Sequence, residues 1–164
     1  MRDKSKRDGP REKTIYLPKQ PVPSDPKTLK WGIVSTIKAP IGHIARFAAW
    51  HLGTGANHIH IHLDLPDASV AERLAHPQIT FTQCDDAYWA TAPEKARQTH
   101  QLRQAYNATR SYRASEMDWL AHIDVDEFLL TKTPLAERLA AAQHDAAFVR
   151  IHPVELMAHD TDPF

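Results

Sequence analysis

One cysteine, five glycines and a net charge of zero mark what this chain of 164 residues has little of. Cys84 has no second thiol to pair with, so no disulfide framework holds the fold, and a reducing, cytoplasmic setting is expected. No stretch approaches the roughly 20 apolar residues that span a bilayer, so no transmembrane segment is expected. The opening Met1-Arg2-Asp3-Lys4-Ser5-Lys6-Arg7-Asp8 leads into no hydrophobic stretch and does not read as a secretory signal. The length fits one domain with a core that needs neither disulfides nor structural metal.

The zero balance hides an asymmetry. Up to Lys30 the chain carries nine Lys or Arg against four Asp or Glu; the remainder carries eleven against sixteen. Residues 1–30 are also rich in proline (Pro10, Pro18, Pro21, Pro23, Pro26) and poor in apolar side chains. Such a segment buries too little surface to offset its ordering entropy, and it reads as a flexible basic leader ahead of a folded unit over 31–164. The acidic balance of that unit argues against nucleic acid as a partner.

From Trp31 the pattern changes. Trp31-Gly32-Ile33-Val34-Ser35-Thr36-Ile37 has a strand's composition. Pro40 suits the first turn of a helix on which Ile41, Ile44, Ala45, Ala48 and Leu52 keep helical spacing until Gly53 and Gly55. His58-Ile59-His60-Ile61-His62-Leu63 alternates strictly, as a strand with two different faces does. Pro66-Asp67 opens a short helix to about Leu74, Ile79-Thr80-Phe81-Thr82 is a third strand, and a loop holds Cys84, Asp85, Asp86 and Trp89. A longer helix is expected from about Pro93 to Arg113, with Leu102, Ala105, Tyr106, Thr109 and Tyr112 as its stripe. Met117-to-Ile123 reads as a buried strand, Thr133-Pro134 caps a helix to about Gln143, and Ala146-to-Ile151 is a fifth strand candidate. Alternating strands and helices imply an α/β fold: a Rossmann-like, mainly parallel sheet with helices on both faces. Ligands of such sheets sit beyond the carboxyl ends of the strands, where Asp64, Asp85, Asp86, Asp124 and Asp126 all fall.

The densest chemistry lies in Ala121-His122-Ile123-Asp124-Val125-Asp126-Glu127-Phe128-Leu129-Leu130. Three carboxylates within four residues after a core strand repel one another unless a cation sits among them. On an extended segment Asp124 and Asp126 face the same side, a spacing that suits a hard divalent ion, which in turn holds a diphosphate. The plainer reading is a strand that runs into an acidic, solvated turn.

Together, Trp50-His51 closing the first helix, the strand ending in Asp64, the helix with Gln101, Gln104, Ala105 and Tyr106, and above all Asp118-Trp119-Leu120-Ala121-His122-Ile123-Asp124-Val125-Asp126-Glu127-Phe128-Leu129 resemble a known family. They are similar to the GT-A fold glycosyltransferases, in particular the family-2-like group whose acidic motif reads Asp-x-Asp-Glu-Phe, over about Trp31 to Ile151. The resemblance implies a metal-dependent transfer of a sugar from a nucleotide-diphosphate donor to a saccharide or other acceptor. It implies that Asp124 and Asp126 hold Mn²⁺ or Mg²⁺ against the diphosphate, that Asp64 contacts the nucleoside, and that Glu127 orients the metal site or the donor sugar. The family's usual Asn-Glu pair after the first strand is replaced here by Thr36-Ile37-Lys38-Ala39-Pro40, where Lys38 is the candidate to meet phosphate. The family's catalytic domains run well past the Asp-x-Asp, whereas this chain ends at Phe164, so an incomplete domain without an assigned catalytic base is expected. A nucleotide-sugar-binding module without turnover is the first alternative.

A second alternative is a zinc hydrolase built on His58, His60 and His62 with Asp64. Same-face positions on one strand lie about 6.6 to 7 Å apart, which strains a shared metal for three in a row. His122 reads as a hydrogen-bonded core residue or a group behind the acids. Cys84 is expected to be inert, because neighbouring acids raise a thiol's pKa. Asn107-Ala108-Thr109 matches a glycosylation acceptor but sits within an expected helix. Trp31, Trp50 and Trp119 read as core aromatics, and Trp89 as the one placed to stack on a sugar or base.

Overall fold

The computed structural model describes residues 22–142, 146 and 148–154. Residues 1–21 of the expected leader lie outside them. Just ahead of the first strand Leu29 is buried, and the Lys30 N–H donates to Asp118 Oδ2 at 2.7 Å.

Strand β1 (Trp31–Ile37) is buried at every position, which is why its sequence is a continuous apolar run rather than an alternating one. β2 (His58–Leu63) pairs along one side of it, from Gly32↔His58 to Ile37↔Leu63. β4 (Trp119–His122) pairs along the other side, and β3 (Ile79–Gln83) flanks β2. All pairs are parallel, and the spatial order is β3-β2-β1-β4. The sheet is therefore the parallel α/β sheet expected from the strand–helix alternation. Gly32 is required by the close approach of β2: a Cβ there would lie 2.8 Å from the His58 carbonyl oxygen and 3.0 Å from Met117 Cγ.

The two faces of the sheet differ in chemistry. On one, Trp31, Ile33 and Ile37 of β1 and Ile59, Ile61 and Leu63 of β2 join the main apolar core. Helix α1 (Ile41–Gly53) adds Ile44, Phe47 and Ala48, α2 (Ala68–Arg73) adds Val70, and α6 (Leu135–Ala140) adds Leu135 and Leu139. On the other face, Thr36 and His62 meet helix α5 (His100–Ala114) through hydrogen bonds. Helices thus lie on both faces.

Several sequence expectations are corrected. The long helix from Pro93 is two: α4 (Glu94–Arg97) and α5, broken at Gln98-Thr99. Thr99 is extended and its hydroxyl accepts from the Leu102 N–H, so it starts a new helix rather than continuing the old one. Of the stripe assigned to this helix, Ala105, Thr109 and Tyr112 are exposed, and the buried positions are Asn107 and Ser111. The loop holding Trp89 contains a short helix α3 (Asp86–Ala90), capped by Asp85 accepting from the Tyr88 N–H. Thr133 does not cap α6; its hydroxyl accepts from Arg138 Nε at 3.2 Å. Gln143 lies outside the described residues.

Ala146, Phe148, Val149, Arg150 and Ile151 form no strand, and Ala147 lies outside the described residues. Phe148, Val149 and Ile151 are exposed, because no described segment packs over them. Among the described residues no helix is long and apolar enough to cross a membrane.

Candidate functional site

Three of the sequence-assigned residues stand at neighbouring strand ends. Lys38 follows β1, Asp64 follows β2 and Asp124 follows β4 by two residues. The ladder carries past the strand ends to set them: the Asp64 N–H donates to the Ile37 carbonyl at 2.9 Å, and the Ile123 N–H reaches the Val34 carbonyl at 3.4 Å.

Helix α5 ties the two flanking acids together. Arg103 donates from Nε and Nη2 to Asp64 Oδ2 at 3.2 and 2.9 Å, and His100 Nδ1 lies 3.6 Å from the same oxygen. The Asp64 side chain is only 5% exposed, so this charge-assisted pair supplies the compensation that burial demands. The next residue, Gln104, donates from Nε2 to Asp124 Oδ1 at 2.6 Å. Consecutive residues of one helix thus hold acids from β2 and β4 on either side of β1.

Asp124 to Glu127 is a closed turn, not the extended segment expected. The Glu127 N–H donates to the Asp124 carbonyl at 3.1 Å, and Glu127 Oε2 accepts from the Asp124 N–H at 2.9 Å. The Glu127 side chain thereby supplies the bond that the acidic cluster needs to fold back on itself, much as an Asx cap does. Asp126 sits exposed on the turn, with no hydrogen bond or ion pair among the described residues. Its carboxylate and the second oxygen of Asp124 are hard donors of the kind that bind Mg²⁺ or Mn²⁺ through one or two carboxylates plus substrate phosphates. Among the described residues no group of three or more His, Cys, Asp or Glu is placed to hold a metal ion on its own.

Beside this edge lies a cleft of about 420 Å³ lined by Lys38, Asp64, Asp85, Asp86, Trp89 and Arg103, among others. Trp89 borders it from α3, its ring centroid 5.0 Å from that of Tyr88 and 6.1 Å from that of Tyr106. A second cleft of about 440 Å³ shares Lys38 but has an apolar floor of Ile37, Ile44, Leu63 and Val70, with Arg73 at its rim. The polar cleft is the one with chemistry, because it joins two cations, three acids and an aromatic ring at strand ends. Neither cleft is lined by Asp124 or Asp126.

The histidine row does share one face of β2, and two of its rings are engaged by hydroxyl groups. His62 Nε2 is paired with Ser111 Oγ at 2.8 Å and His58 Nε2 with Thr80 Oγ1 at 2.8 Å. His60 packs at 4.6 Å between ring centroids against His58. Burial, reinforced by the neighbouring histidine, pushes both His60 and His62 down to about 4. Both are therefore neutral at pH 7, and among the described residues the row forms no group of three that could hold a metal ion. His122 is exposed rather than a core residue. Cys84 is buried, and burial, followed by the Asp64 charge, pushes its thiol up to about 12.

Behind the edge, α5 closes a buried polar network invisible to pattern reading. Asn107 Nδ2 donates to Thr36 Oγ1 at 3.0 Å and approaches Cys84 Sγ at 3.8 Å, while its Oδ1 accepts from the Tyr88 hydroxyl at 2.6 Å. Asn107 is fully buried, so its glycosylation-like tripeptide offers no accessible acceptor. The chain matches no known family of sequences, no curated protein and no solved structure.

Proposed function

We propose that this chain is the nucleotide-sugar-binding part of a cytoplasmic, metal-dependent glycosyltransferase of the GT-A type, moving a sugar from a nucleotide-diphosphate donor to a saccharide or other acceptor. The observation that carries the reading is the position of the acidic turn. It follows β4, which pairs with β1 on the side opposite β2, so it stands where the strand order reverses. In open parallel sheets that reversal opens the crevice in which nucleotides bind.

In this reading Asp124 and Asp126 hold Mn²⁺ or Mg²⁺, and Lys38 meets a phosphate of the donor. Asp64, fixed by Arg103, faces the nucleoside in the polar cleft, with Trp89 beside it to stack on the base or sugar. A divalent cation bound here would supply Lewis-acid neutralisation of the charge that develops on the departing diphosphate. Gln104 and Glu127 hold Asp124 so that its second oxygen stays available. No carboxylate is assigned as catalytic base, and binding without turnover is the same site's lesser form.

Calorimetric titration of UDP and GDP, with and without Mn²⁺, tests the reading. Manganese-dependent affinity is expected for the unaltered protein, with a loss of more than ~100-fold in Asp126→Asn, beyond the ~10–100-fold typical of partners behind a ligand. Equal affinity with and without manganese, or an unaffected Asp126→Asn, would overturn it. Release of free sugar or transfer to an added saccharide separates an enzyme from a binding module.

A further inference from the structure

The bonds inside the acidic turn give it a shape but do not fix where it stands. On its β4 side the ladder to β1 does so. On its other side the chain is seized within three residues of Asp126, by two adjacent side chains of α1. The Leu129 N–H donates to His51 Nε2 at 3.3 Å, and the Leu129 carbonyl accepts from Trp50 Nε1 at 3.2 Å. Both backbone groups of one residue are therefore held by one helix.

The protonation of His51 follows from its partners. Nε2 accepts from an N–H, so the ring proton sits on Nδ1, which donates to the Phe47 carbonyl at 2.8 Å. Burial holds the imidazole below its ordinary pKa, in the neutral form that this arrangement requires. Phe128, between the turn and Leu129, lies parallel to His51 at 6.0 Å and edge-on to Trp50 at 5.8 Å. The Arg46 guanidinium covers the Phe128 ring at 4.9 Å.

We propose that Trp50 and His51 are positioning residues for the acidic turn, locking Asp124 and Asp126 to α1 so that their carboxylates are presented in one place. An apolar residue would fill the space at His51 equally well. It would not accept the Leu129 N–H, and that bond has no packing purpose. The consequence for metal binding rests on the reading of the turn as the donor-diphosphate site; the locking itself does not. Ligands set on a preorganised loop bind tighter than those on one that must first be ordered, because the ordering cost is already met.

Amide exchange on the full chain, read residue by residue, tests the lock without any metal. Trp50→Phe removes the donor to Leu129 and keeps an aromatic ring; His51→Leu removes the acceptor. Each is expected to speed exchange of the Glu127 amide about tenfold or more while Ile61, in β2, is unchanged. His51→Gln, whose side-chain oxygen reaches toward the position of Nε2, is expected to restore much of the protection. With UDP or GDP, both disruptive variants are expected to lose ~10–100-fold in manganese-dependent affinity and little in metal-free affinity. Unchanged Glu127 exchange in Trp50→Phe and His51→Leu would overturn the proposal. Should exchange respond while the unaltered protein shows no manganese-dependent affinity, the lock stands and the donor reading falls.

Discussion

Acidification from about pH 7 to about pH 4 is expected to remove ~3 kcal/mol from the folded state through His62 alone. His62 is 4% exposed, and burial, with His60 and Arg110 nearby, pushes its pKa from 6.5 down to about 4. Between those values the unfolded chain binds a proton that the folded chain refuses. Stability therefore rises with pH across that window, is full above about 6.5, and has lost this contribution once the pH falls below about 4. His60 and His51, also lowered by burial, act in the same direction. Urea unfolding at both pH values measures the effect. A His62→Gln variant, which keeps an amide opposite Ser111, is expected to flatten the pH profile. An unaltered midpoint between the two pH values would show that His62 takes up its proton without leaving its place.

Asn107→Ala is expected to cost about 3 kcal/mol, near the top of the range for single substitutions. Three separate groups meet this side chain: the Thr36 hydroxyl, the Tyr88 hydroxyl and the Cys84 thiol. They come from β1, α3 and the residue after β3, so the truncation leaves the buried Thr36 hydroxyl without its partner and takes one contact from each of the other two. Fitting urea curves for the variant reads the loss directly. The Tyr88 fluorescence environment should change with it, because burial and the adjacent thiol hold that phenol up at about 12. A cost below about 1 kcal/mol would mean that the network is idle, its members equally well satisfied by water.

The sheet was readable from the chain because its signals are local. β1 is a continuous apolar run and β2 an alternating one, and each forms the strand that its pattern describes. The acidic residues at the strand ends were readable for the same reason, since chain position alone puts them there. What pattern could not show were features made by residues distant in sequence. Asn107 and Ser111 look like surface positions of a helix until the partners on β1 and β2 are known, and hydrophobicity is a poor guide to a face whose burial is compensated by hydrogen bonds. The lock on the acidic turn joins residues 78 and 79 positions apart. The turn is masked by a different cause: in the sequence Glu127 counts as a third charge, whereas in the fold its carboxylate is a turn-forming acceptor for the Asp124 N–H. Thr99 gave a usable sign, a hydroxyl residue three before Leu102 in a helical stretch, which a reading by apolar spacing passes over.

The isolated cysteine gives the molecule a built-in clock. Cys84 is the chain's one thiol, 3% exposed, and its polar company comes from Asn107, the Thr82 carbonyl and His62. Cys84 also stands in the wall of the polar cleft, so an electrophile added to the solution reaches that sulfur when its cover on the cleft side opens or the molecule unfolds. Its rate of labelling therefore counts those openings directly, with no probe to engineer and no second thiol to confuse the signal. The same sulfur would register a ligand in that cleft as a slowing of the clock.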